Sequence, residues 1–108
     1  MPNEMTKETI SRMKVSIMQA AQNYERSIRF ENSMLVDNWV QRYLRMTEDT
    51  IAAARIREFS DEQIETYRRG RESSMADRKQ AYSNRLESTI EKRVQLYIIG
   101  IKSAYLGK

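Results

Sequence analysis

Six basic residues in the second half of the chain have a spacing suited to contacting a row of phosphates. Four recur every seven residues and two precede them: Arg71, Arg78, Arg85 and Lys92, with Arg68 and Arg69. A seven-residue repeat keeps side chains along one edge of a helix, and guanidinium groups bind phosphate or carboxylate oxygens through paired hydrogen bonds. These six residues, here called the basic ridge, predict either a nucleic-acid contact or ion pairs with carboxylates of a neighbouring helix, such as Glu25, Glu31 and Asp37.

Few side chains are suited to catalysis. The chain has no histidine and no cysteine, which removes the usual zinc ligands and the Ser-His and Cys-His nucleophilic pairs. Glu62 and Glu65 lie three residues apart, which resembles half of the magnesium-binding carboxylate cluster of all-helical nucleotide pyrophosphohydrolases, but no matching pair follows downstream. There is no glycine-rich phosphate loop. The sequence therefore predicts a non-enzymatic protein with no cofactor, no metal site and no small-molecule substrate.

The segment around residue 59 resembles a DNA-binding helix–turn–helix unit over about 20 residues. The apolar spacing of that motif is present at Ala54, Phe59, Ile64 and Tyr67. Glu58 stands where a glycine is usual, and the second helix would begin with acidic residues that repel phosphate: Asp61, Glu62 and Glu65. The segment is therefore either a degenerate helix–turn–helix or an ordinary tight corner between two packed helices.

Three similar hexapeptides indicate where helices begin: MTKETI at 5–10, MTEDTI at 46–51 and FSDEQI at 59–64. The hydroxyl of Thr6, Thr47 or Ser60 can accept a hydrogen bond from a backbone N–H of the first turn. Gln63 completes a capping box with Ser60, and an apolar residue before each cap, such as Met5, can form a hydrophobic staple. Because proline occurs only at position 2 and strand-like alternation is almost absent, the sequence predicts an all-α protein.

The predicted helices are 6–31, 33–45, 47–58, 60–69 and 74–105. Nothing near residue 32 forces a break, so the first helix could also continue to about Arg45. Gly70 is expected to end the fourth helix, although it could lie inside one continuous helix at a cost of about 1 kcal/mol. Residues 94–101 are rich in β-branched side chains, but a lone strand would have no partner, so a helix is preferred.

The last predicted helix carries an apolar stripe that drifts as a heptad seam does. We call its members the C-terminal seam: Met75, Tyr82, Leu86, Ile90, Val94, Tyr97 and Ile101. Trp39 is expected to hold the N-terminal half of the chain against it. The predicted fold is one all-α domain, an elongated helical bundle or helical hairpin with a long C-terminal amphipathic helix, which self-associates like a coiled coil along this seam, most simply as a homodimer.

Charge and hydropathy limit the function classes. The net charge of +4 is spread along the chain, and no segment has the apolar length of a membrane span or the pattern of a signal peptide. We expect a soluble, cytoplasmic protein that makes no membrane contact. Its predicted function is that of a helical interaction protein, an adaptor, regulator or inhibitor that binds a protein partner. The alternatives are nucleic-acid binding through the basic ridge or helix–turn–helix, and a structural role in a larger assembly.

Overall fold

The chain folds into two long helices. The structure is a computed structural model that describes the backbone of residues 6–106 and the side chains of residues 6–104. Helix α1 is Lys7–Ile56 and helix α2 is Asp61–Leu106, and residues 57–60 connect them. No strand occurs in the described residues. The prediction of an all-α helical hairpin is confirmed.

Both helices begin at residues that the sequence identified as caps. Thr6 Oγ1 accepts a hydrogen bond of 3.1 Å from the backbone N–H of Thr9. Ser60 Oγ accepts one of 3.1 Å from the N–H of Gln63, and the side chain of Gln63 accepts one of 2.9 Å from the N–H of Ser60. This reciprocal pair is the predicted capping box. The staple predicted at Met5 lies outside the described residues.

Two helices replace the five that were predicted. The predicted breaks near residues 32 and 46 and at 70–73 are wrong, since α1 and α2 run through them without interruption. Thr47 does not cap a helix: its hydroxyl donates a 2.9 Å hydrogen bond to the carbonyl of Tyr43 one turn earlier, a pattern typical of threonine inside a helix. Gly70 lies within α2, and the preference for a helix over residues 94–101 is confirmed.

The corner between the helices is a Schellman turn. The N–H of Glu58 donates to the carbonyl of Arg55 at 3.0 Å, and the N–H of Phe59 donates to the carbonyl of Ala54 at 3.0 Å. Glu58 has a φ of 61°, the left-handed conformation for which glycine is preferred. Because α1 continues through residue 47, this segment is the corner between the two long helices of a hairpin, the second of the two interpretations of the sequence.

The chain divides into two compact units, each built from one segment of α1 and one of α2. Unit 1 comprises Met1–Phe30 with Ser88–Lys108, and unit 2 comprises Glu31–Glu87. The buried apolar residues of unit 1 are Ile17, Ala21, Ile28 and Ile90. The rings of Tyr24 and Tyr97 stack there with centroids 4.2 Å apart and planes at 11°.

Unit 2 has a more polar core. Its buried residues include Asn32 and Thr47 beside the apolar Val36, Tyr43, Ile51 and Ile64. The ring of Trp39 lies 5.2 Å from that of Tyr43 and 6.4 Å from that of Tyr82, centroid to centroid. Unit 2 is therefore stabilised by aromatic contacts and polar contacts as well as by aliphatic packing.

Inward-facing positions follow both spacings, since residues seven apart, such as Ala21 with Ile28 and Ile90 with Tyr97, face inward as well as rows of residues eleven apart. The rows of α1 are Ile17 and Ile28; Asn32, Tyr43 and Ala54; Val36 and Thr47; Val40 and Ile51. The rows of α2 are Ile64, Met75, Leu86 and Tyr97; Arg71 and Tyr82; Ile90 and Ile101. Eleven residues in three turns is about 3.67 per turn, slightly more than the 3.6 of a relaxed helix.

A continuous α2 makes the effect of alanine at position 70 predictable. A Cβ atom at Gly70 would meet no other atom within 4 Å. Gly70→Ala should therefore raise the free energy of unfolding by about 1 kcal/mol, since alanine is preferred in a helix interior. Urea unfolding at one protein concentration, followed by circular dichroism, measures this change. Ala76→Gly on the exposed side of α2 is the matched control, with an effect of similar size and opposite sign. A loss of stability in Gly70→Ala would contradict a continuous helix.

The left-handed residue in the corner gives a second prediction. Glu58→Gly should raise the free energy of unfolding by about 0.5–1 kcal/mol, because glycine adopts a positive φ without steric cost. Glu62→Gly, in the helical first turn of α2, should lower it by about as much. The same unfolding measurement compares the two variants. Equal destabilisation by both would show that residue 58 is not left-handed.

Candidate interaction surfaces

Arg71 contacts α1 through both its charge and its hydrogen-bond donors in unit 2. Its guanidinium carbon lies 3.7 Å from the centroid of the Tyr43 ring. Its Nε donates a 2.9 Å hydrogen bond to Thr47 Oγ1, and Nη2 donates one of 3.3 Å to the carbonyl of Tyr43. Stacking and two hydrogen bonds fix the guanidinium between the helices. Arg71 therefore holds unit 2 together and does not present a free cation for phosphate.

Two other members of the basic ridge also have carboxylate partners within the chain. Arg68 Nη1 donates to both oxygens of Glu48, at 2.8 and 3.2 Å. Arg69 lies 3.8 Å from Glu65 one turn away on the same helix. The prediction that ridge residues pair with a neighbouring helix is thus met by Arg68, although its partner is Glu48 and not one of the three acids expected.

The rest of the ridge turns away from the seam. Arg78, Arg85 and Lys92 are exposed, whereas Arg71 is half-buried. A seven-residue step falls about 20° short of two full turns, while the eleven-residue rows advance by about 20° each. Between Arg71 and Lys92, the angle around the helix axis between the seven-residue basic row and the eleven-residue inward rows therefore changes by about 100°. The six residues therefore do not form one continuous cationic edge beside the core.

The C-terminal seam packs against α1 within the same chain. Ile90 is buried at 4% exposure, and the rings of Tyr97 and Tyr82 lie against Tyr24 and Trp39. The other members are half-buried: Met75, Leu86, Val94 and Ile101. The expected role of Trp39 in holding an N-terminal segment against the seam agrees with its contact with Tyr82. The seam therefore forms part of the packing between α1 and α2 of one chain.

A second set of apolar side chains remains exposed on both helices. Val15, Met18, Leu96 and Ile99 of unit 1 are 55–62% exposed. The exposed set in unit 2 is Met34, Leu35, Leu44, Met46, Ile56, Phe59 and Tyr67. Isolated apolar residues on a surface are ordinary, but a set of this size on 108 residues is typical of a protein that covers part of its surface with a partner.

Unit 1 contains an apolar groove between its two helix segments, here called the Met18 groove. Its volume is about 500 Å³. Apolar side chains of both segments line it: Ile10, Met13, Ile17, Met18, Ala21, Val94 and Ile98. Its polar lining residues are Lys14, Gln22, Glu25 and Lys102. An apolar floor with charges at defined places is the usual composition of a docking site.

A second groove of unit 1, here called the Ser16 groove, has a volume of about 400 Å³. It shares Met13 and Ile17 with the Met18 groove and is otherwise lined by Thr9, Arg12, Ser16, Ala20, Tyr97 and Ile101. Arg12 already pairs with Glu8 at 2.7 Å. With hydroxyl groups among its lining residues, this groove is less suited to an apolar partner.

Of the residues that line the Met18 groove, Val94 belongs to the C-terminal seam, and the others are absent from the candidate site residues of the sequence. The predicted helix 6–31 has an apolar stripe with a spacing of three and four residues. It contains Ile17 and Ile28 but neither Val15 nor Met18. A signal was present, since Lys14, Met18, Ala21 and Glu25 are spaced by four, three and four residues, as a second stripe on a helix would be.

The described residues contain neither a metal-binding cluster nor a membrane-spanning helix. Within the described residues, no group of three or more acidic, histidine or cysteine side chains could hold a metal ion. Nor does either helix contain, in that part of the chain, a run apolar and long enough to cross a bilayer.

Comparison with known proteins gave no match: no family model fits the sequence, and no curated protein and no solved structure is similar to it.

The contacts of Arg71 predict a difference between two arginines of the basic ridge. Arg71→Met keeps most of the apolar stem but loses the stacked cation and both hydrogen bonds, so it should lower the free energy of unfolding by about 1–2 kcal/mol. Arg78→Met, at an exposed position of the same helix, should change it by no more than about 0.5 kcal/mol. Urea unfolding of both variants measures this difference. Equal effects would show that Arg71 is not a structural residue.

Proposed function

We propose that this chain is a non-enzymatic helical interaction protein, which self-associates and presents its remaining surface to a macromolecular partner as an adaptor, regulator or inhibitor. Its mechanism is the burial of apolar helix faces across chains. The observation that carries the proposal is the amount of surface left exposed. The chain exposes 8688 Å², whereas the scaling for compact monomers gives roughly 6,300 Å² at this mass.

The excess is large enough to matter for association. It is about 2,400 Å², of the order of the surface that one subunit of an obligate dimer buries. At least thirteen large apolar residues contribute to the exposed surface, and burial of apolar surface is the main driving force of association. Self-association therefore supplies the burial that two helices cannot supply alone.

A second surface remains for a partner in unit 2. Ile56 is 83% exposed and Phe59 is 52% exposed, at either side of the hairpin corner. Corners between helices tolerate side-chain exposure without loss of core packing. We assign this corner to a protein partner and the groove of unit 1 to self-association.

Nucleic-acid binding by the basic ridge is the weaker alternative. Arg68 and Arg71 are engaged within the chain, which leaves fewer cations for a phosphate backbone. A phosphate contact would also make affinity fall steeply with salt concentration. Assembly into a larger structure differs from the proposed function only in how far association continues.

The absolute mass of the purified, nucleic-acid-free protein tests the proposal. We expect light scattering of the protein eluting from a sizing column to give twice the 12.8 kDa of one chain. Dilution should lower the measured mass towards that of one chain. The apolar contact should make the association largely independent of salt, in contrast to a phosphate contact. A mass of one chain at every concentration would contradict the proposed function.

A further inference from the structure

We propose that the Met18 groove is the docking site for a second copy of this chain, with the two α1 helices antiparallel about a two-fold axis that passes between Gln19 and Ala20. This inference rests on the proposed self-association and specifies its surface. Charged, large and small residues follow one another along the groove in an order that is complementary to a second, antiparallel copy.

The charges that α1 contributes to the groove differ between its two ends, and α2 contributes Lys102. Lys14 and Glu25 both line it and lie eleven residues apart on α1. Eleven residues are three helical turns to within about 20°, a distance of about 16 Å along the axis. One face of the helix therefore begins with a cation and ends with an anion.

A two-fold axis at the midpoint pairs these charges. An antiparallel second α1 brings Lys14 of each copy opposite Glu25 of the other, which gives two equivalent ion pairs. A parallel arrangement in register would place Lys14 opposite Lys14 and would be repelled. Charge complementarity thus favours a second copy in the antiparallel direction, and the contact closes on itself as a homodimer interface does.

The apolar residues between the charges are complementary in size under the same axis. Met18 of one copy falls opposite Ala21 of the other, so a long flexible side chain meets a small one. Met18 is 62% exposed while Ala21 is buried at 7% in the floor of the groove. A methionine that projects over an alanine can fill the space between two helices, because its unbranched side chain adapts to irregular gaps.

Glu25 already has one partner, and this does not prevent a second. Its Oε2 accepts a 2.9 Å hydrogen bond from Arg29 Nε on the same helix. A carboxylate has about four acceptor positions, so Lys14 of the second copy can bind the remaining ones. The Ser16 groove offers no comparable pairing, since none of its lining residues is acidic.

Charge reversal tests the proposal, because two changes that each weaken the dimer should restore it when combined. Lys14→Glu places a carboxylate opposite Glu25 of the second copy, and Glu25→Lys places two ammonium groups together. Each should raise the dissociation constant by about tenfold or more, since the two-fold axis repeats every contact. The double variant should return to within about threefold of the wild type. Mass measured by light scattering over a dilution series gives the constants, and circular dichroism checks that the helices persist.

A matched pair of methionines tests the apolar centre. Met18 and Met46 are both 62% exposed on α1, but only Met18 lines the groove. Met18→Glu should dissociate the dimer, and Met46→Glu should leave its mass unchanged. Equal behaviour of the two variants would overturn the proposal.

The outcomes separate this inference from the proposed function. A wild-type protein that remains a single chain at all concentrations overturns both, and the groove would then be free for a helix of another protein. A dimer that resists Lys14→Glu, Glu25→Lys and Met18→Glu supports the proposed function but overturns the Met18 groove as its docking site. Loss of the dimer in the single charge variants without recovery in the double variant excludes the antiparallel pairing.

Discussion

A pair of helices can bury only one stripe on each, and this limit governs the rest of the structure. A helix in a larger bundle is covered on two or three sides, whereas α1 and α2 have one covered side each. The inward rows, such as Ile17 with Ile28 and Ile90 with Ile101, take up that side. Apolar residues on any other side, including Met18 and Ile99, stay in contact with solvent until a partner covers them. The exposed apolar surface is therefore a consequence of the fold.

The core of unit 2 contains polar side chains both without and with hydrogen-bond partners. The side-chain amide atoms of Asn32 and the hydroxyl of Tyr43 are buried and have no hydrogen-bond partner among the described residues, and each such group costs about 1–3 kcal/mol. Arg71, by contrast, donates a hydrogen bond to Thr47 and stacks on the ring of Tyr43. A helix without an arginine at this position would lose both contacts, so the pairing of Arg71 favours the native alignment of the two helix segments in unit 2.

The sequence correctly predicts features that depend on neighbouring residues, such as helix caps. It does not show whether a helix continues, because this depends on contacts with residues far away in the chain. The caps at Thr6 and Ser60 were recognised because a side chain bonds to its own helix start within three residues. The same pattern at Thr47 was misleading, since its hydroxyl bonds backwards to Tyr43 and forwards to Arg71, which lies 24 residues away. No local pattern reveals such a partner. Gly70 was misjudged for a related reason: packing on both sides of it outweighs a propensity of about 1 kcal/mol.

Charged residues can follow a helix at seven-residue or at eleven-residue intervals, and the two kinds of row drift around the helix in opposite directions. A seven-residue row such as Arg71 to Lys92 changes its angle to an eleven-residue seam at every step, so its members range from half-buried to exposed. An eleven-residue pair stays in phase with the seam. Lys14 and Glu25 are such a pair, and both therefore line the same groove. Charges on one face of a helix can thus be separated by eleven residues as well as by seven.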